Sequence, residues 1–245
     1  MILSEKAEPM KTLSGIRKRK ILLPALLCAA ALVLLLCVHA KRETAFSQQT
    51  NIRTLVIDPG HGGIDCGALG ADGTRESDIN LAIALRTRAV AELYGLENTL
   101  VRQDDTTSCD TEKYSEHRDL ECRTEIVNTA QNPVYISIHQ NNYPTAQPGG
   151  AQVIYSGAQG SKELGLITHQ NLIHALYPEN RRLAEPASRK LYILSHVDCP
   201  AILVECGFMS NTLDLEILIR PGFQISIASI LIGSYLQFDM NTNSI

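Results

Sequence analysis

The alternation of short apolar runs with stretches of helical periodicity after residue 53 most limits what this chain can fold into. Six runs are rich in β-branched and aliphatic residues, which predicts strands at "TLVID", "LENTLVR", "VYISIH", "GGAQVIYS", "LYIL" and "AILVE". Between and after them, apolar residues recur at helical spacing over 79–93, 115–130, 162–176 and 223–236. This order predicts an α/β fold, a three-layer domain with a mostly parallel sheet of about six strands flanked by helices.

The first 53 residues differ in composition from the rest. Residues 1–20 hold six Lys and Arg, and residues 21–38, "ILLPALLCAAALVLLLCV", carry no charge and would span roughly 27 Å as a helix. We predict a basic cytoplasmic tail at 1–20, a transmembrane anchor or signal segment at 21–40, a polar linker at 41–53, a domain at 54–238 and a short tail at 239–245. The domain would then lie outside the cytoplasmic membrane, either anchored or, after signal cleavage behind "VHA", secreted.

Charge and cysteine content narrow the function classes. The formal net charge of -4 and pI near 6.0 give no global basic field, so nucleic acid is not an expected partner. Five of the seven cysteines lie in the domain, and none has CxxC spacing. An odd number means that at least one is unpaired or pairs between chains, and the pairing cannot be read from the sequence.

Chemically capable side chains stand where predicted strands end. His61 follows "LVID" in a glycine-rich turn, His139 ends "VYISIH" and Glu205 ends "AILVE". Ligands of parallel α/β sheets gather at the carboxyl ends of the strands, and neutral imidazole is the commonest metal ligand. Either histidine could instead be a structural hydrogen-bonding residue. A phosphate cradle at "GHGG" is disfavoured, because the P-loop lysine and the GxGxxG spacing are missing.

Two carboxylates could complete such a site. Glu76 begins a predicted helix, where the helix dipole alone could explain it. As a third ligand beside His61 and His139, it would give the His, His, Glu set with an open position that is typical of catalytic zinc. Glu205 must be paired, protonated or functional, because an uncompensated buried charge is costly. The other histidines of the domain are expected to be structural or exposed. They are His117, His169, His174 and His196, of which His196 is the next candidate ligand.

Four motifs in register resemble one enzyme family. "VIDPGHGGIDCGALGADGTRESDINLAIAL", "LECRTEIVN", "VYISIHQN" and "PAILVECGFMSN" are similar to the zinc-dependent N-acetylmuramoyl-L-alanine amidases of the third amidase family, over residues 54 to about 238. The resemblance implies that domain 54–238 is an amidase catalytic domain, with one zinc held by His61, Glu76 and His139 and with Glu205 as the catalytic acid/base. Cys66 stands where proline is expected and Gln140 where alanine is frequent, which leaves substrate detail in doubt.

The same resemblance implies a substrate and partners. The enzyme would cleave the amide between the lactyl group of N-acetylmuramic acid and L-alanine, so peptidoglycan stem peptides and glycan strands are its expected partners. An activating protein is a further candidate partner, as is a role like that of the spore-cortex amidase. A metallopeptidase of other peptides and a non-catalytic wall-binding module remain alternatives, although the sequence contains no HExxH motif.

A basic segment suggests where acidic stem peptides could bind. "ENRRLAEPASRK" is predicted to be a loop, and its Arg181 and Arg182 could recognise a carboxylate through paired hydrogen bonds. A solvated charged loop, neutralised locally by Glu179 and Glu185, is the alternative.

Overall fold

The structure is a computed structural model that describes residues 31–36, 52–109, 113–144 and 148–243. The chain divides into two units at Asn51, and the described part of the first unit is a helical stretch at 31–36. The second unit contains a six-stranded sheet in the order β2-β1-β3-β6-β4-β5. Its strands are β1 Thr54–Pro59, β2 Asn98–Leu100, β3 Pro133–Asn141, β4 Gln152–Tyr155, β5 Glu185–Pro186 and β6 Ala201–Phe208.

The strand directions confirm the predicted, mostly parallel sheet. β1 pairs in parallel with β2 and β3, β3 with β6, and β4 with β5, whereas β4 runs antiparallel to β6. The carboxyl ends of β1, β3 and β6, which carry the candidate residues, therefore meet at one edge of the sheet.

Helices cover both faces of the sheet. They are α1 Glu76–Leu93, α2 Glu116–Thr129, α3 Ser161–Leu176, α4 Tyr192–His196, α5 Thr212–Leu218 and α6 Pro221–Asn243. Successive strand side chains point to opposite faces, so each face builds its own core. Ile57, Ile136 and Val204 belong to a cluster with residues of α1, α3 and α6, and Tyr135 and Leu203 to a second cluster with residues of α2 and α4. The result is the predicted three-layer arrangement.

One predicted strand is wrong. "LYIL" was expected to pair in the sheet, but its residues begin α4, and the remaining strand is instead β5, inside the segment predicted to be a loop. A four-residue apolar run does not distinguish strand from helix. Leu194 packs into the second cluster from α4, and β5 forms because its two residues lie beside Ile154 and Tyr155 of β4.

Other bounds differ less. β2 is shorter than "LENTLVR", α5 is not among the predicted helices, and α6 extends beyond 236 to Asn243.

The predicted N-terminal segments lie largely outside the described residues. These are the basic tail, residues 21–30 and 37–40 of the predicted membrane segment and residues 41–51 of the linker. Within the described ranges, no single helix has the length and apolar composition of a membrane span. α5 with Pro221–Thr242, bent by 82°, passes that test only as a pair.

The cysteines are divided between bonded and free. Cys109, in the segment that follows β2, forms a disulfide with Cys122 of α2. Cys66, Cys199 and Cys206 are free thiols, consistent with the odd number in the domain. Cys206 is fully buried in the first cluster, on the face opposite to Glu205, as strand alternation predicts.

Candidate active site

The turn after β1 holds His61 in an unusual conformation. Its φ of 61° lies in the left-handed region, which few residues other than glycine adopt. Arg123 of α2 donates a hydrogen bond from Nη2 to the His61 carbonyl oxygen at 2.7 Å. Arg102 donates to the carbonyl oxygens of Pro59 at 2.9 Å and Gly60 at 3.1 Å. Two buried guanidinium groups therefore fix the backbone that presents the imidazole.

Arg123 is itself held by carboxylates. Its guanidinium forms ion pairs with Asp58 of β1 and, at 2.7 Å, with Asp119 of α2. Burial opposes the charged guanidinium, but the two carboxylates outweigh it and raise the pKa of Arg123. Asp58 also accepts hydrogen bonds from the hydroxyls of Tyr135 and Ser137. The network ties α2 to the strand that ends before His61.

Glu76 lies between the two histidines. Its Oε1 is 3.1 Å from His139 Nδ1 and 3.4 Å from His61 Nε2. The backbone N–H groups of Ala68 and Gln140 donate to the same carboxylate at 2.9 and 3.0 Å, which fixes its orientation. Burial favours the neutral acid, but the hydrogen bonds with both histidines outweigh it and hold the pKa of Glu76 well below its usual range.

One donor atom from each of His61, Glu76 and His139 lies within 4.8 Å of the other two, so the three side chains could share a metal ion. On its other nitrogen, Nδ1, His61 contacts Asp65 Oδ2 at 2.7 Å. In the absence of a metal, burial lowers the pKa of His61, but contacts with Glu76 and Asp65 outweigh it and raise the pKa to about 9. The cluster therefore combines two imidazoles with one carboxylate.

Two glycines leave room for this cluster. A Cβ at Gly60 would lie 2.2 Å from the His139 ring, and a Cβ at Gly67 would lie 2.6 Å from Glu76 Oε2. Gly67 also has a φ of +64°, which glycine adopts without strain. Any side chain at Gly60 would displace the imidazole, so the glycine-rich turn is a requirement of close packing around the three donors.

Glu205 lies beside the cluster on the central strand β6. Its Cα is the register partner of His139 on one side and of Gln152 on the other. Its Oε2 is shielded from solvent and has no hydrogen-bond partner among the described residues. Burial raises the pKa of Glu205 to about 7. A carboxyl group next to the donors thus has an unused oxygen.

The two arginines of the basic segment have different surroundings. Arg181 is exposed, donates to the Pro178 carbonyl oxygen at 2.7 Å and pairs with Glu179 at 3.4 Å, as the solvated-loop interpretation expects. Arg182 is half-buried, stacks on the Phe208 ring at 4.8 Å and donates from Nε to Gln152 Oε1 at 3.3 Å. Because Gln152 is the register partner of Glu205, only Arg182 of this pair is directed towards the site.

Comparison with known proteins identifies the family. A family model described as N-acetylmuramoyl-L-alanine amidase matches residues 55–233. The chain belongs to this amidase family. The germination-specific N-acetylmuramoyl-L-alanine amidase of Bacillus subtilis (strain 168) is 31% identical over 196 residues, which cover 76% of this chain and 79% of that protein. The amidase therefore cleaves the bond between N-acetylmuramic acid and L-alanine in peptidoglycan.

Solved amidases share its fold. The CwlD amidase of Clostridioides difficile, in complex with the GerS lipoprotein, is 35% identical with a TM-score of 0.71. The amidase AmiC2 of Nostoc punctiforme is 28% identical with a TM-score of 0.67. Each comparison covers 76% of this chain and 97% of the other.

Several residues around the amidase site were not singled out from the sequence. Asp65 contacts His61 from four residues further along, and the spacing in "HGGID" could have suggested it. Asn80 donates to Glu76 Oε1 at 3.3 Å and to the Gly60 carbonyl oxygen at 3.1 Å. Arg123 lies within the recognised "LECRTEIVN", but its contact with His61 spans 62 residues and no local pattern indicates it.

The other residues considered in the sequence, Gln140, Cys66 and four histidines, make structural contacts or are exposed. Gln140 is buried on the face opposite to His139 and donates from Nε2 to Asn80 Oδ1 at 3.0 Å. Cys66 donates from Sγ to the Gly67 carbonyl oxygen at 3.3 Å. His196 is exposed and contacts the Tyr192 carbonyl oxygen within α4, and His169 contacts the Arg182 carbonyl oxygen. His117 and His174 are exposed, so these four histidines lie outside the donor cluster.

Proposed function

We propose that this amidase depends on zinc, held by His61, Glu76 and His139, and that Glu205 is its general acid/base. The convergence of the three donor atoms within 4.8 Å carries this proposal. Glu205, with its unpartnered Oε2, supplies a proton-transfer group on the strand next to His139.

The donor set fits zinc better than other common metals. Two imidazoles and one carboxylate suit Zn²⁺, whereas Mg²⁺ and Ca²⁺ favour all-oxygen sites. The free thiol of Cys206 is buried on the other face, so the set does not become a thiolate site. Asp65 contacts the other nitrogen of His61, and such outer contacts fix the tautomer of a ligand. When bound, zinc polarises a carbonyl and acidifies water.

The residues of the chain supply the proton transfers. Glu205 accepts a proton from the attacking water and returns it to the departing amine nitrogen of L-alanine. Without this proton the nitrogen would have to leave as an amide anion, which is a very poor leaving group, so the second transfer is as necessary as the first. The donors and Glu205 come from three rigid elements and the turn after β1, which holds them in one geometry during the reaction.

Product analysis tests the proposed reaction. Incubation of defined muropeptides with the amidase and zinc is expected to release peptides that begin with a free L-alanine amine, and sugars that keep the lactyl carboxylate. Mass spectrometry distinguishes these products from fragments cut inside the peptide. Cleavage at internal peptide bonds would favour the metallopeptidase alternative.

We further propose that Arg182 binds a stem-peptide carboxylate. Stacking on Phe208 and the hydrogen bond to Gln152 hold its guanidinium beside Glu205. Replacing Arg182 by glutamine is expected to raise KM about tenfold for stem peptides with free carboxylates, and less for amidated ones, because a charge-assisted hydrogen bond is lost. Steady-state kinetics on the two substrates measures the difference.

Arg181 provides the matched control for this variant. Its guanidinium is exposed and already bonded within its own segment, so Arg181→Gln is expected to leave both KM values within about twofold. If the two variants have the same effect, or if Arg182→Gln affects both substrates equally, Arg182 does not recognise a carboxylate.

We propose that the domain is anchored outside the cytoplasmic membrane. The basic residues before an uncharged segment of 18 residues support this orientation. Protease added to intact cells without their wall should digest the domain, while a cytoplasmic marker protein survives. Complete protection of the domain would reverse the orientation, and its appearance in the medium would favour cleavage of the segment.

A role in spore peptidoglycan and a protein partner are further proposals. They are supported by the germination-specific relative in Bacillus subtilis and by the lipoprotein in the CwlD complex. Purification of the tagged full chain from sporulating cells should yield a bound protein that increases its activity. Full activity of the purified chain, without a stimulating partner in that extract, would argue against this proposal.

A further inference from the structure

Two buried side-chain amides, Asn80 of α1 and Gln140 of β3, lie next to the donor cluster. Asn80 is fully buried and Gln140 is 3% exposed. Gln140 donates a hydrogen bond from Nε2 to Asn80 Oδ1 at 3.0 Å, and Asn80 donates from Nδ2 to Glu76 Oε1 at 3.3 Å. The two amides therefore form one hydrogen-bonded chain that ends on a proposed zinc ligand.

This amide pair contacts every segment that carries a proposed ligand. Asn80 also donates to the Gly60 carbonyl oxygen at 3.1 Å, in the turn that presents the first histidine. Gln140 directly follows His139 in β3, and its backbone N–H donates to Glu76 Oε1 at 3.0 Å. The pair thus constrains the position of the Glu76 carboxylate relative to both histidines.

The acceptors around Asn80 decide which way its amide points. The ionised carboxylate of Glu76 and the carbonyl oxygen of Gly60 can only accept hydrogen bonds, so Asn80 presents its NH₂ group to them. Its Oδ1 then faces Gln140, which in turn presents its own NH₂ group.

The other end of the Gln140 amide indicates why a glutamine is present. Its Oε1 is buried and has no hydrogen-bond partner among the described residues. A buried acceptor without a partner is unfavourable, and an apolar side chain would avoid it. Packing alone therefore does not explain a glutamine at this position, whereas the hydrogen bond that it donates to Asn80 does.

We propose that Gln140 is a positioning residue for zinc, which acts through Asn80 to fix the Glu76 carboxylate in the orientation that binds the ion. This inference rests on the proposed function and adds to it a residue that does not itself bind the metal. Alanine, which the family resemblance favours here, would leave Asn80 Oδ1 without this donor. Hydrogen-bond partners of metal ligands typically contribute roughly 10- to 100-fold to metal affinity.

Zinc affinity is measured without turnover, by competition between the full chain and a chromophoric chelator of known affinity. Gln140→Ala removes the side-chain bond but keeps the backbone N–H that donates to Glu76. Gln140→Met removes the same bond and keeps nearly the same volume. Gln224→Ala is the matched control, because Gln224 is also buried, lies outside the donor cluster and donates to the Leu218 carbonyl oxygen at 2.8 Å.

We expect Gln140→Ala and Gln140→Met each to weaken zinc binding roughly 10- to 100-fold, and Gln224→Ala to leave it within about twofold. The unfolding temperature of each zinc-free chain shows how far a variant is destabilised, and Gln224→Ala should keep its zinc affinity even if it is destabilised as much. If Gln140→Ala fails to fold, the volume-conserving Gln140→Met decides.

A double variant tests whether Gln140 acts through Asn80. Asn80→Ala is expected to weaken zinc binding at least as much as Gln140→Ala. Adding Gln140→Ala to it should change the affinity by no more than about threefold, because the contact between the two amides is already lost. Losses that multiply in the double variant would mean that the amides act independently, which would overturn the inference.

Unchanged zinc affinity in a folded Gln140 variant, or an equal loss in Gln224→Ala, would also overturn the inference. The wild-type chain separates this failure from that of the proposed function. A wild type that binds no zinc refutes the proposed function together with the inference. A wild type that binds zinc, with the same affinity in Gln140→Met, refutes the inference alone.

Discussion

Replacing Glu205 by glutamine is expected to lower kcat by roughly 10²- to 10⁴-fold, the usual contribution of a general acid/base. Glutamine keeps nearly the same shape at the centre of β6 but cannot accept and return a proton. Zinc content and unfolding temperature should stay near those of the wild type, because the three donor atoms belong to other residues. Stem-peptide release from defined muropeptides measures the loss.

Glu216→Gln is the matched control for this variant, because the Glu216 side chain is exposed on α5 and, among the described residues, pairs with Arg220 at 3.9 Å. Its kcat is expected to stay within about twofold of the wild type. If Glu205→Gln retained a third or more of the activity, another group would have to transfer the proton.

Replacing His61 and His139 together by alanine is expected to reduce bound zinc from about one ion per chain to almost none, and to abolish amide cleavage. One carboxylate does not hold zinc tightly, because the imidazoles supply two of the three donors. Metal analysis after dialysis against a weak chelator measures the loss, and circular dichroism checks that the domain remains folded.

Replacing a second pair of histidines shows whether the loss of any two histidines has the same effect. His117 and His174 are exposed and lie outside the donor cluster, so their double replacement by alanine is expected to keep the zinc and the activity. Zinc retained at full level in the His61 and His139 variant would place the metal elsewhere in the chain.

The residues of the candidate site could be predicted because their positions follow from topology. Parallel strands end at one edge of a sheet, so His61, His139 and Glu205 could be placed together once "LVID", "VYISIH" and "AILVE" were recognised as strands. Glu76 could be placed at the same site because it begins α1, and the chain that leaves β1 stays at the same edge of the sheet. Their roles as ligands and acid/base stay predictions until metal and turnover are measured.

Features that depend on contacts between residues far apart in the chain could not be predicted from the sequence. The sequence predicts a strand where α4 lies and a loop where β5 lies. Burial of Leu194 and the free edge of β4, not local propensity, decide the observed states. The bond between Cys109 and Cys122 depends on how the segment after β2 lies against α2. Arg181 and Arg182 differ in their surroundings because Arg182 contacts Gln152, thirty residues away in the chain, and Phe208.

The place of β6 in the sheet has a consequence for how the molecule matures. β6 is the last strand to be synthesised, yet it lies between β3 and β4 at the middle of the sheet. A growing chain that has passed through β1 and β3 can bring the two histidines together, but it still lacks Glu205 and the strand that joins the two halves. Long-range strand pairing of this kind forms late in folding. The candidate site is therefore complete only once β6, and with it nearly the whole domain, has been synthesised.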